Sequence, residues 1–476
     1  MRKLNLFLFL VSVLCFGFGN SFTAWFVFVP VFFLVNRLDF PGLPAWGFAY
    51  GFCSYFLFLL WMLSFSIVAL FGACLLYGLY WLLIFALLKI ILAKAKSFAF
   101  ILFPVVITLF EYVRTLGFLG FSYGINGYSQ AGNLLMIQTA DLFGVWGISF
   151  LLNLSSAVVF CLVTDWKTSA FGKKVLPLTV FGGLIAFSAV YGSVKISLQK
   201  NIENKSEMIS VVAVQNNADP WKGGIENYER AVTDLKELTD SALALHPDAA
   251  LIVWPETAVI PSILKHFSGP DSRRKKLVED LLSYINGKNS AFVIGNFNSL
   301  EGKDYNSVFV FLPGKNVVPP EPMHYEKMHL VPFCEYFPYK KQFPLFYQKL
   351  LGGDTHMWEP GVHPQVFEIG GLKFSTPVCF EDTFDYDCRR FVGNGANAFV
   401  TLANDEWAKS RRCQVQHLQA AVFRCVENRV PAVRSSSSGE TCIINTYGKI
   451  TARSAPFEKN YVYGKMVKLA MGKKIL

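Results

Sequence analysis

Ala250-Leu251-Ile252-Val253-Trp254-Pro255-Glu256 is the stretch that decides the fold of the C-terminal half of this chain. Its five apolar residues include two that are β-branched and end at a proline, which is typical of a short buried strand. Glu256 follows directly, so the strand is expected to end at a carboxylate. Layered α/β folds usually place their chemistry at strand ends, although a single glutamate there is more often only solvated.

Strands and helices alternate on both sides of this stretch. Strands are predicted at 211–215, 250–254, 291–297, 307–312, 374–379, 398–403, 431–434 and 441–445, and helices at 225–244, 273–286, 382–392 and 414–427. This alternation predicts a layered α/β domain over 201–476, a length that buries a substantial core without disulfides.

The N-terminal part of the chain has a different composition. The whole chain is 53% hydrophobic and only 16% charged, which is too apolar for an ordinary soluble enzyme. Nearly all of its long uncharged runs lie before Lys195. They lie at 4–19, 22–35, 45–64, 66–88, 98–113, 143–163 and 175–194. We expect residues 1–200 to form a transmembrane helical bundle of about seven spans, although the first two runs are short for the roughly 20 residues that a span needs.

Basic residues recur in every second loop of this N-terminal part. They are Arg2 and Lys3, then Arg37, then Lys89, Lys94 and Lys96, and then Lys167, Lys173 and Lys174. This pattern follows the positive-inside rule and predicts a cytoplasmic N-terminus with an uncleaved first helix. Seven crossings then place residues 201–476 outside the cytoplasm, on the periplasmic side of a bacterial inner membrane.

Composition argues against several classes of function. The formal charge of +10 comes from scattered basic residues, so nucleic-acid binding is not expected. Four of the ten cysteines, Cys15, Cys53, Cys74 and Cys161, lie in apolar runs, and the others form neither a CxxC motif nor a Cys/His cluster. We therefore expect no disulfide framework, no metal site and no cofactor.

Two further motifs carry residue types that suit the chemistry of Glu256. Cys379 ends the predicted strand at 374–379, and Lys327 lies in an unusually apolar segment. Taken singly, a cysteine in this position is more often a packed core residue, and the lysine has an alternative interpretation as a snorkelling surface residue. Together the three suggest a general base, Glu256, a nucleophile, Cys379, and a fixed positive charge for an oxyanion, Lys327.

These segments closely resemble the nitrilase superfamily, and their combination with a membrane bundle resembles the bacterial apolipoprotein N-acyltransferase family. The family motifs WPE, KxHLVPFGEY and CYE read here as Trp254-Pro255-Glu256, the run from Lys327 to Tyr336, and Cys379-Phe380-Glu381. The resemblance implies an α-β-β-α sandwich and assigns the catalytic roles to Glu256, Lys327 and Cys379.

Other segments match the same family. They are Gly127-Tyr128-Ser129-Gln130, Asn404-Asp405-Glu406-Trp407, Gln416-His417-Leu418-Gln419 and the run from Arg434 to Gly439. The resemblance implies site-shaping or substrate-binding roles for Glu335, Phe380, Glu381, Trp221, Trp407, Asn404, Tyr128, Ser129 and Gln130. From the residues alone, the region 114–141 reads either as a re-entrant or head-group-binding loop or as an ordinary aromatic-belt loop.

The sequence departs from the family pattern at three places. Cys334 replaces a usual glycine, Phe380 replaces a common tyrosine, and no final membrane helix is expected before Lys474-Ile475-Leu476. The backbone N–H of Phe380, which the resemblance implies as an oxyanion donor, does not depend on the side chain.

The resemblance implies that a monomer transfers an acyl chain from a phospholipid, through a thioester on Cys379, to the N-terminal α-amine of diacylglyceryl-cysteine apolipoproteins. Its partners are then the phospholipid donor, the apolipoproteins and membrane lipid. One alternative is a membrane-tethered nitrilase or amidase that hydrolyses small C–N substrates with the same three residues. Another is a transporter with a nitrilase-like sensor domain, although ionisable residues such as Glu111 and Asp141 lie only near the ends of the apolar runs.

Overall fold

The computed structural model describes residues 2–165, 171–300, 302–339, 342–345 and 357–469. The chain divides into two compact units, Met1–Leu198 and Gln199–Leu476. The first is helical and the second contains all the described strands. The basic residue Lys167 and the segment Lys474-Ile475-Leu476, on which two expectations rest, lie outside the described residues.

The helical unit contains helices of very different length. They are α1 Arg2–Gly17, α2 Val29–Arg37, α3 Leu43–Phe58, α4 Ile67–Lys94, α5 Ala99–Val113, α6 Leu134–Ile137, α7 Ala140–Asp165 and α8 Phe171–Lys205. Four described helical stretches are long and apolar enough to cross a membrane, namely Ile67–Lys94, Lys96–Val113, Ala140–Thr164 and Val175–Lys205. The 28 residues of α4 exceed the roughly 20 that a hydrocarbon core of about 30 Å requires.

The other three predicted spans fold as shorter helices. α1 and α3 have 16 residues each and α2 has nine. A 3-10 helix, Leu60–Ser64, follows α3 and takes up the rest of the apolar run at 45–64. The count of seven spans therefore stays a prediction, with four of the seven runs lying in helices of spanning length.

Glycine allows α3 and α4 to approach closely. A Cβ atom on Gly51 would collide with the carbonyl oxygen of Tyr77, and one on Gly47 would lie 2.8 Å from that of Trp81. Any side chain at either position would push the two helices apart, as expected for small residues at helix contacts in membranes.

The second unit contains two six-stranded sheets. The strands are β1 Met208–Gln215, β2 Leu251–Val253, β3 Ala291–Leu300, β4 Lys303–Phe311, β5 Met323–Glu326, β6 Phe367–Ile369, β7 Leu372–Ser375, β8 Ala398–Ala403, β9 Ala432–Ser436, β10 Cys442–Ile444, β11 Ile450–Arg453 and β12 Asn460–Val467. The first sheet has the order β12-β1-β2-β3-β4-β5 and the second the order β11-β10-β9-β8-β7-β6. Both have a parallel centre, β1-β2-β3 in one and β7-β8-β9 in the other.

Helices cover the outer faces of the two sheets. They are α9 Ile225–Leu245, α10 Ile263–Phe267, α11 Ser272–Asn286, α12 Asp385–Gly393 and α13 Arg411–Asn428. Leu235 of α9 and Leu281 of α11 are buried in one core with the first sheet, and α13 contacts β9 of the second. The Ser435 hydroxyl of β9 donates to the Val214 carbonyl of β1 at 2.7 Å, so the sheets face each other. The predicted α-β-β-α sandwich is confirmed.

The structure corrects the predicted strand at 374–379, which ends at Ser375. Pro377 lacks an N–H group and cannot continue the ladder, and only an isolated bridge joins Val378 to Leu402. Cys379 instead begins a 3-10 helix, Cys379–Thr383, so the predicted helix at 382–392 begins only at Asp385.

Candidate active site

Three strand ends of the sandwich carry the predicted catalytic residues. Glu256 follows β2, Lys327 follows β5, and Cys379 lies four residues after β7. All three side chains are withdrawn from solvent, with exposed fractions of 7% for Glu256, 1% for Lys327 and 7% for Cys379. Buried charged residues are rare unless they are paired, so their surroundings require an account.

Lys327 lies between two glutamates. Its Nζ atom is 3.2 Å from Oε1 of Glu256 and 2.8 Å from Oε1 of Glu335. The backbone N–H of Val331 donates to the other oxygen of Glu335 at 2.7 Å, which fixes that carboxylate. One buried ammonium group is therefore shared between the buried carboxylate of Glu256 and the partly buried carboxylate of Glu335.

Asn306 completes this cluster, and no sequence motif pointed to it. Its side-chain amide donates to Oε1 of Glu256 at 2.7 Å and to Oε1 of Glu335 at 3.3 Å. Its backbone carbonyl accepts from the backbone N–H of Lys327 at 2.8 Å. Asn306 thus holds the lysine by its main chain and both carboxylates by its side chain.

The cluster sets the protonation of its members. Burial raises the pKa of Glu256, and the charge of Glu335 raises it further, while Lys327 and Asn306 oppose these effects. Burial lowers the pKa of Lys327, but the two carboxylates outweigh it and hold that pKa well above its usual range. Lys327 is therefore a permanent cation and Glu256 a carboxylate able to take up a proton at higher pH than usual.

Cys379 has a left-handed backbone, with φ of 50°, which only a few per cent of non-glycine residues adopt. Such strained turns recur at nucleophiles because they lift the side chain clear of the sheet. The backbone N–H of Asn404 donates to the thiol. Burial and the charge of Glu256 raise the pKa of Cys379 well above its usual range, while Lys327 opposes them, so the thiol rests protonated.

Glu381 joins the turn that begins at Cys379 to the segment that follows Lys327. Its carboxylate accepts from the Tyr325 hydroxyl at 2.7 Å and from three backbone N–H groups. These belong to Met328 at 2.8 Å, His329 at 3.0 Å and Val378 at 2.7 Å. Burial, together with the charge of Asp387, raises the pKa of Glu381 to about 7.

The chain is similar to known proteins over most of its length. Residues 9–158 match the model of the apolipoprotein N-acyltransferase N-terminal domain, and residues 194–470 match that of carbon-nitrogen hydrolases. Apolipoprotein N-acyltransferase 1 of Treponema denticola is 39% identical over 96% of this chain and 87% of its own length. The protein of the same name in Treponema pallidum is 38% identical over 92% of this chain and 84% of its own length.

The chain belongs to the apolipoprotein N-acyltransferase family. Among solved structures, Saccharomyces cerevisiae Nit3 of the nitrilase superfamily aligns with a TM-score of 0.40 and 17% identity, covering 55% of this chain and 90% of that one.

The family resemblance also selected Phe380, Asn404, Trp407 and Trp221, and the structure places them differently. The ring of Phe380 packs 5.6 Å from that of His329 and 4.8 Å from that of Phe384, measured between centres. Asn404 contacts the Cys379 thiol through its backbone N–H. Trp407 is half-buried in the 3-10 helix Glu406–Ala408 that follows. Trp221 is 57% exposed and its backbone N–H donates to Asp219, so the structure does not bring it to the cluster.

The Gly127-Tyr128-Ser129-Gln130 segment belongs to the helical unit, within a 3-10 helix, Asn126–Gln130. The Ser129 hydroxyl donates to the Asn126 carbonyl at 2.7 Å, and the Gln130 amide donates to the Ser21 carbonyl at 2.7 Å. Tyr128 and Gln130 are buried. The segment is thus a packed polar turn, and both interpretations of the region 114–141 stay predictions.

Arg114 in the helical unit was not selected by the sequence analysis. It is buried, and its guanidinium lies 5.5 Å from the ring centre of Tyr55 and 5.1 Å from that of Tyr77. The two rings stabilise the positive charge through cation–π interactions. Glu111, one turn earlier, accepts from the Asn126 backbone at 2.8 Å, so these polar groups organise the packed turn.

Ligand atoms of Cys379, Asp405 and His417 lie within 4.8 Å of one another, which is close enough for all three to bind one metal ion. Each group is already engaged. The thiol accepts from Asn404, and the His417 ring and the Asp405 carboxylate bond to each other at 2.8 Å. Arg434 also lies 3.1 Å from Asp405, and its positive charge disfavours a cation. The donor set therefore does not fit a resident metal.

Proposed function

We propose that this protein transfers an acyl chain from a phospholipid to the N-terminal α-amine of diacylglyceryl-cysteine in apolipoproteins, through a thioester on Cys379. The observation that carries the proposal is the Glu256–Lys327–Glu335 cluster beside the Cys379 turn, within a chain of this family. The relatives named apolipoprotein N-acyltransferase match over nearly the whole chain, membrane part included.

In the first half-reaction the Cys379 sulfur attacks the carbonyl carbon of the phospholipid ester while Glu256 takes its proton. A concerted transfer is needed because the thiol rests protonated. The oxyanion that forms is stabilised by the Lys327 charge and by the backbone N–H of Phe380. The C–O bond then breaks, Glu256 returns its proton to the departing lysophospholipid oxygen, and a thioester remains.

In the second half-reaction the α-amine of the lipoprotein attacks the thioester carbon. An amide forms, the C–S bond breaks, and Glu256 carries the proton of the amine to the sulfur. Lys327 remains charged throughout, since two carboxylates hold its proton. The reaction requires neither ATP nor a redox cofactor, because a thioester is a more reactive acyl donor than the amide that it forms.

Both substrates carry acyl chains and lie in a membrane, which the four spanning-length helices also suit. We assign the protein to the bacterial inner membrane, with the catalytic domain of residues 201–476 on the periplasmic side. The basic loops of the helical part support this orientation. We also propose a monomer, since one chain supplies every residue of the proposed reaction.

The nucleophile is tested with phospholipid that carries a radiolabelled acyl chain. Wild-type protein should form a hydroxylamine-sensitive acyl adduct, and Cys379→Ala protein should form none. Cys334→Ala protein, which loses another thiol of the same unit, should keep the adduct. An undiminished adduct in Cys379→Ala protein would remove Cys379 from this role.

Acyl transfer and amide hydrolysis use the same three residues and are separated by their products. Transfer releases lysophospholipid in amounts that depend on an added diacylglyceryl lipopeptide, whereas hydrolysis releases ammonia from small amides. The transporter alternative finds little support, because Glu111 and Asp141 are engaged within the helical unit, by Asn126 and by Tyr191 at 2.8 Å each.

A further inference from the structure

Four buried ionisable side chains surround the turn that carries Cys379, and none takes part in the proposed chemistry. Each comes from a different element. Asp382 lies in the 3-10 helix of the nucleophile, Asp405 follows β8, His417 lies in α13 and Arg434 in β9. All four are buried. Burying ionisable side chains costs free energy, so we expect these four to have a function besides packing.

His417 is at the centre of this set. Its Nε2 atom lies 3.0 Å from the backbone carbonyl oxygen of Cys379 and 2.9 Å from Oδ1 of Asp382. Its Nδ1 atom lies 2.8 Å from Oδ1 of Asp405 and 2.8 Å from a nitrogen of Arg434. Both neighbours of Nε2 are acceptors only, so Nε2 carries a hydrogen whichever partner Nδ1 has.

The carbonyl that His417 holds belongs to the nucleophile itself. Because Cys379 has a φ of 50°, its peptide planes lie in a region that L-residues seldom occupy. A buried donor on that carbonyl restrains rotation of the plane, and rotation would swing the sulfur away from Glu256. The ring thus acts on the reacting atom through the backbone.

A second connection reaches the sulfur directly. Asp405, which holds Nδ1 of His417, is the next residue after Asn404, whose backbone N–H donates to the Cys379 thiol. Arg434 lies 3.1 Å from Asp405 and 3.5 Å from Asp382 and keeps both carboxylates in place. His417 therefore ties together the two segments that orient the sulfur.

We propose that His417 is a positioning residue for acyl transfer, which holds the Cys379 backbone and the Asn404–Asp405 segment so that the thiol faces Glu256. The inference rests on the proposed role of Cys379 as the nucleophile. It names a residue that touches neither substrate nor leaving group and acts through the backbone of Cys379.

Charge is part of this arrangement. Burial lowers the pKa of His417, but Asp405 and Asp382 outweigh burial and Arg434 and raise it to about 9. The groups that face the ring are Asp382, Asp405, Arg434 and the Cys379 carbonyl. At neutral pH two cations balance two carboxylates. Loss of the imidazolium charge would leave a net negative charge near the thiol and raise the pKa of Cys379 further.

The test compares two substitutions at one position. His417→Leu removes both the donor and the charge, whereas His417→Gln keeps an amide donor and removes only the charge. His246→Gln, at a histidine stacked on Tyr463, is the matched control. Acyl-enzyme formation from labelled phospholipid is measured in single turnovers, and KM for the phospholipid is measured in steady state.

We expect His417→Leu to slow acylation about 100-fold, as for a misplaced reacting group, with KM changed less than about twofold. The acylation rate of His417→Gln protein should lie within about tenfold of the wild-type rate. His246→Gln protein should match wild type. Wild-type acylation in His417→Leu protein, or a loss that lies entirely in KM, would overturn the proposal.

A second measurement decides the case if the leucine variant does not fold. Alkylation of Cys379 by iodoacetamide, followed by mass spectrometry of its peptide, reports the thiol at each pH. The profile of His417→Gln protein should shift to higher pH than that of wild type, and an unshifted profile with unchanged rates would contradict the proposal. Cys379→Ala protein tests the nucleophile separately, because a persistent adduct there contradicts the proposed function whatever His417 does.

Discussion

At the residue scale, the proposed reaction depends on whether Glu256 carries a proton. Glu256 must be ionised to accept the thiol proton, yet burial and the charge of Glu335 favour its protonated form. Lys327 and Asn306 restore part of the ionised form through contacts of 3.2 and 2.7 Å. The pH dependence of acylation therefore reports the balance among these four residues.

Glu335→Gln should move the acidic limb of the acylation rate to lower pH. The rate rises with pH as Glu256 ionises, and removing the neighbouring negative charge lowers the pKa of Glu256. Single-turnover rates across pH would measure the shift. The exposed Glu226→Gln should leave the limb in place, and a shift to higher pH in Glu335→Gln would contradict this account of the cluster.

Asn306→Ala should have the opposite effect on the same limb. The amide donates to the ionised form of Glu256, so its loss raises the pKa of Glu256 and moves the limb to higher pH. The variant should also lose about 1–3 kcal/mol of stability, because buried polar groups lose a partner. Rate profiles and denaturant unfolding measure the two effects, with Asn227→Ala, at a partly buried asparagine of α9, as control. An unmoved limb would show that Asn306 does not bear on the base.

At the element scale, the proposed catalytic residues lie on three short connections after strands, and buried side chains hold those connections together. Glu381 binds the nucleophile turn to the segment after β5 through Met328 and His329. His417 binds the same turn to the segment after β8 through Asp405. The strands position the connections, and these two side chains set their distances from one another.

Glu381→Gln should destabilise the catalytic unit by about 2–4 kcal/mol. The carboxylate accepts from Tyr325 and three backbone N–H groups, whereas glutamine offers one acceptor oxygen and turns a donor towards donors. Chemical unfolding followed by near-ultraviolet circular dichroism would measure the loss. The exposed Glu368→Gln serves as control, and a change below about 0.5 kcal/mol would show that the four contacts carry little stability.

Stability should also depend on pH through His417. Its pKa of about 9 in the folded protein exceeds the unfolded value of about 6.5. Folding therefore binds its proton more tightly, and this stabilisation is complete below about pH 6.5 and is lost as pH rises through about 9. The thermal midpoint of wild type should fall over that window, and that of His417→Gln should fall less. If the thermal midpoints of both proteins fell equally with pH, the titrating group would not be His417.

At the scale of the whole molecule, a soluble-type fold and a set of membrane-length helices share one chain. In the catalytic unit, β12 pairs with β1 along eight residues, Asn460 to Val467, and so returns the chain to where the unit begins. In the helical unit, glycines and aromatic rings pack α3 against α4. The proposed sidedness of the catalytic unit follows from the charges of the loops alone.

The proposed orientation predicts which side of the membrane labels introduced cysteines. A membrane-impermeant maleimide should react in intact spheroplasts with cysteines that replace Leu119 and Lys222, and with one that replaces Lys96 only after lysis. Leu119 and Lys222 are exposed in the structure, so access is not limited by packing. Labelling of position 96 in intact cells, with protection of position 222, would reverse the assigned orientation.

Local patterns in the sequence determined the elements and the residue types at their ends. Strand β2 and Glu256, helices α9, α11 and α13, and the apolar runs depend on neighbours within one or two turns, so periodicity and proline reveal them. The family motifs supplied Lys327, Glu335 and Cys379. Strands such as β12 escaped prediction because their partner lies about 250 residues away and packing decides their pairing.

Only the tertiary structure decided what surrounds those residues. Asn306 meets Glu256, and His417 meets the Cys379 carbonyl, across 50 and 38 positions of the chain. The left-handed backbone of Cys379 and the burial that shifts the pKa values of Glu256, Lys327 and His417 also arise from contacts between distant strands. Side-chain identity is a property of the sequence, but ionisation and orientation depend on the dielectric surroundings and partners that folding brings together.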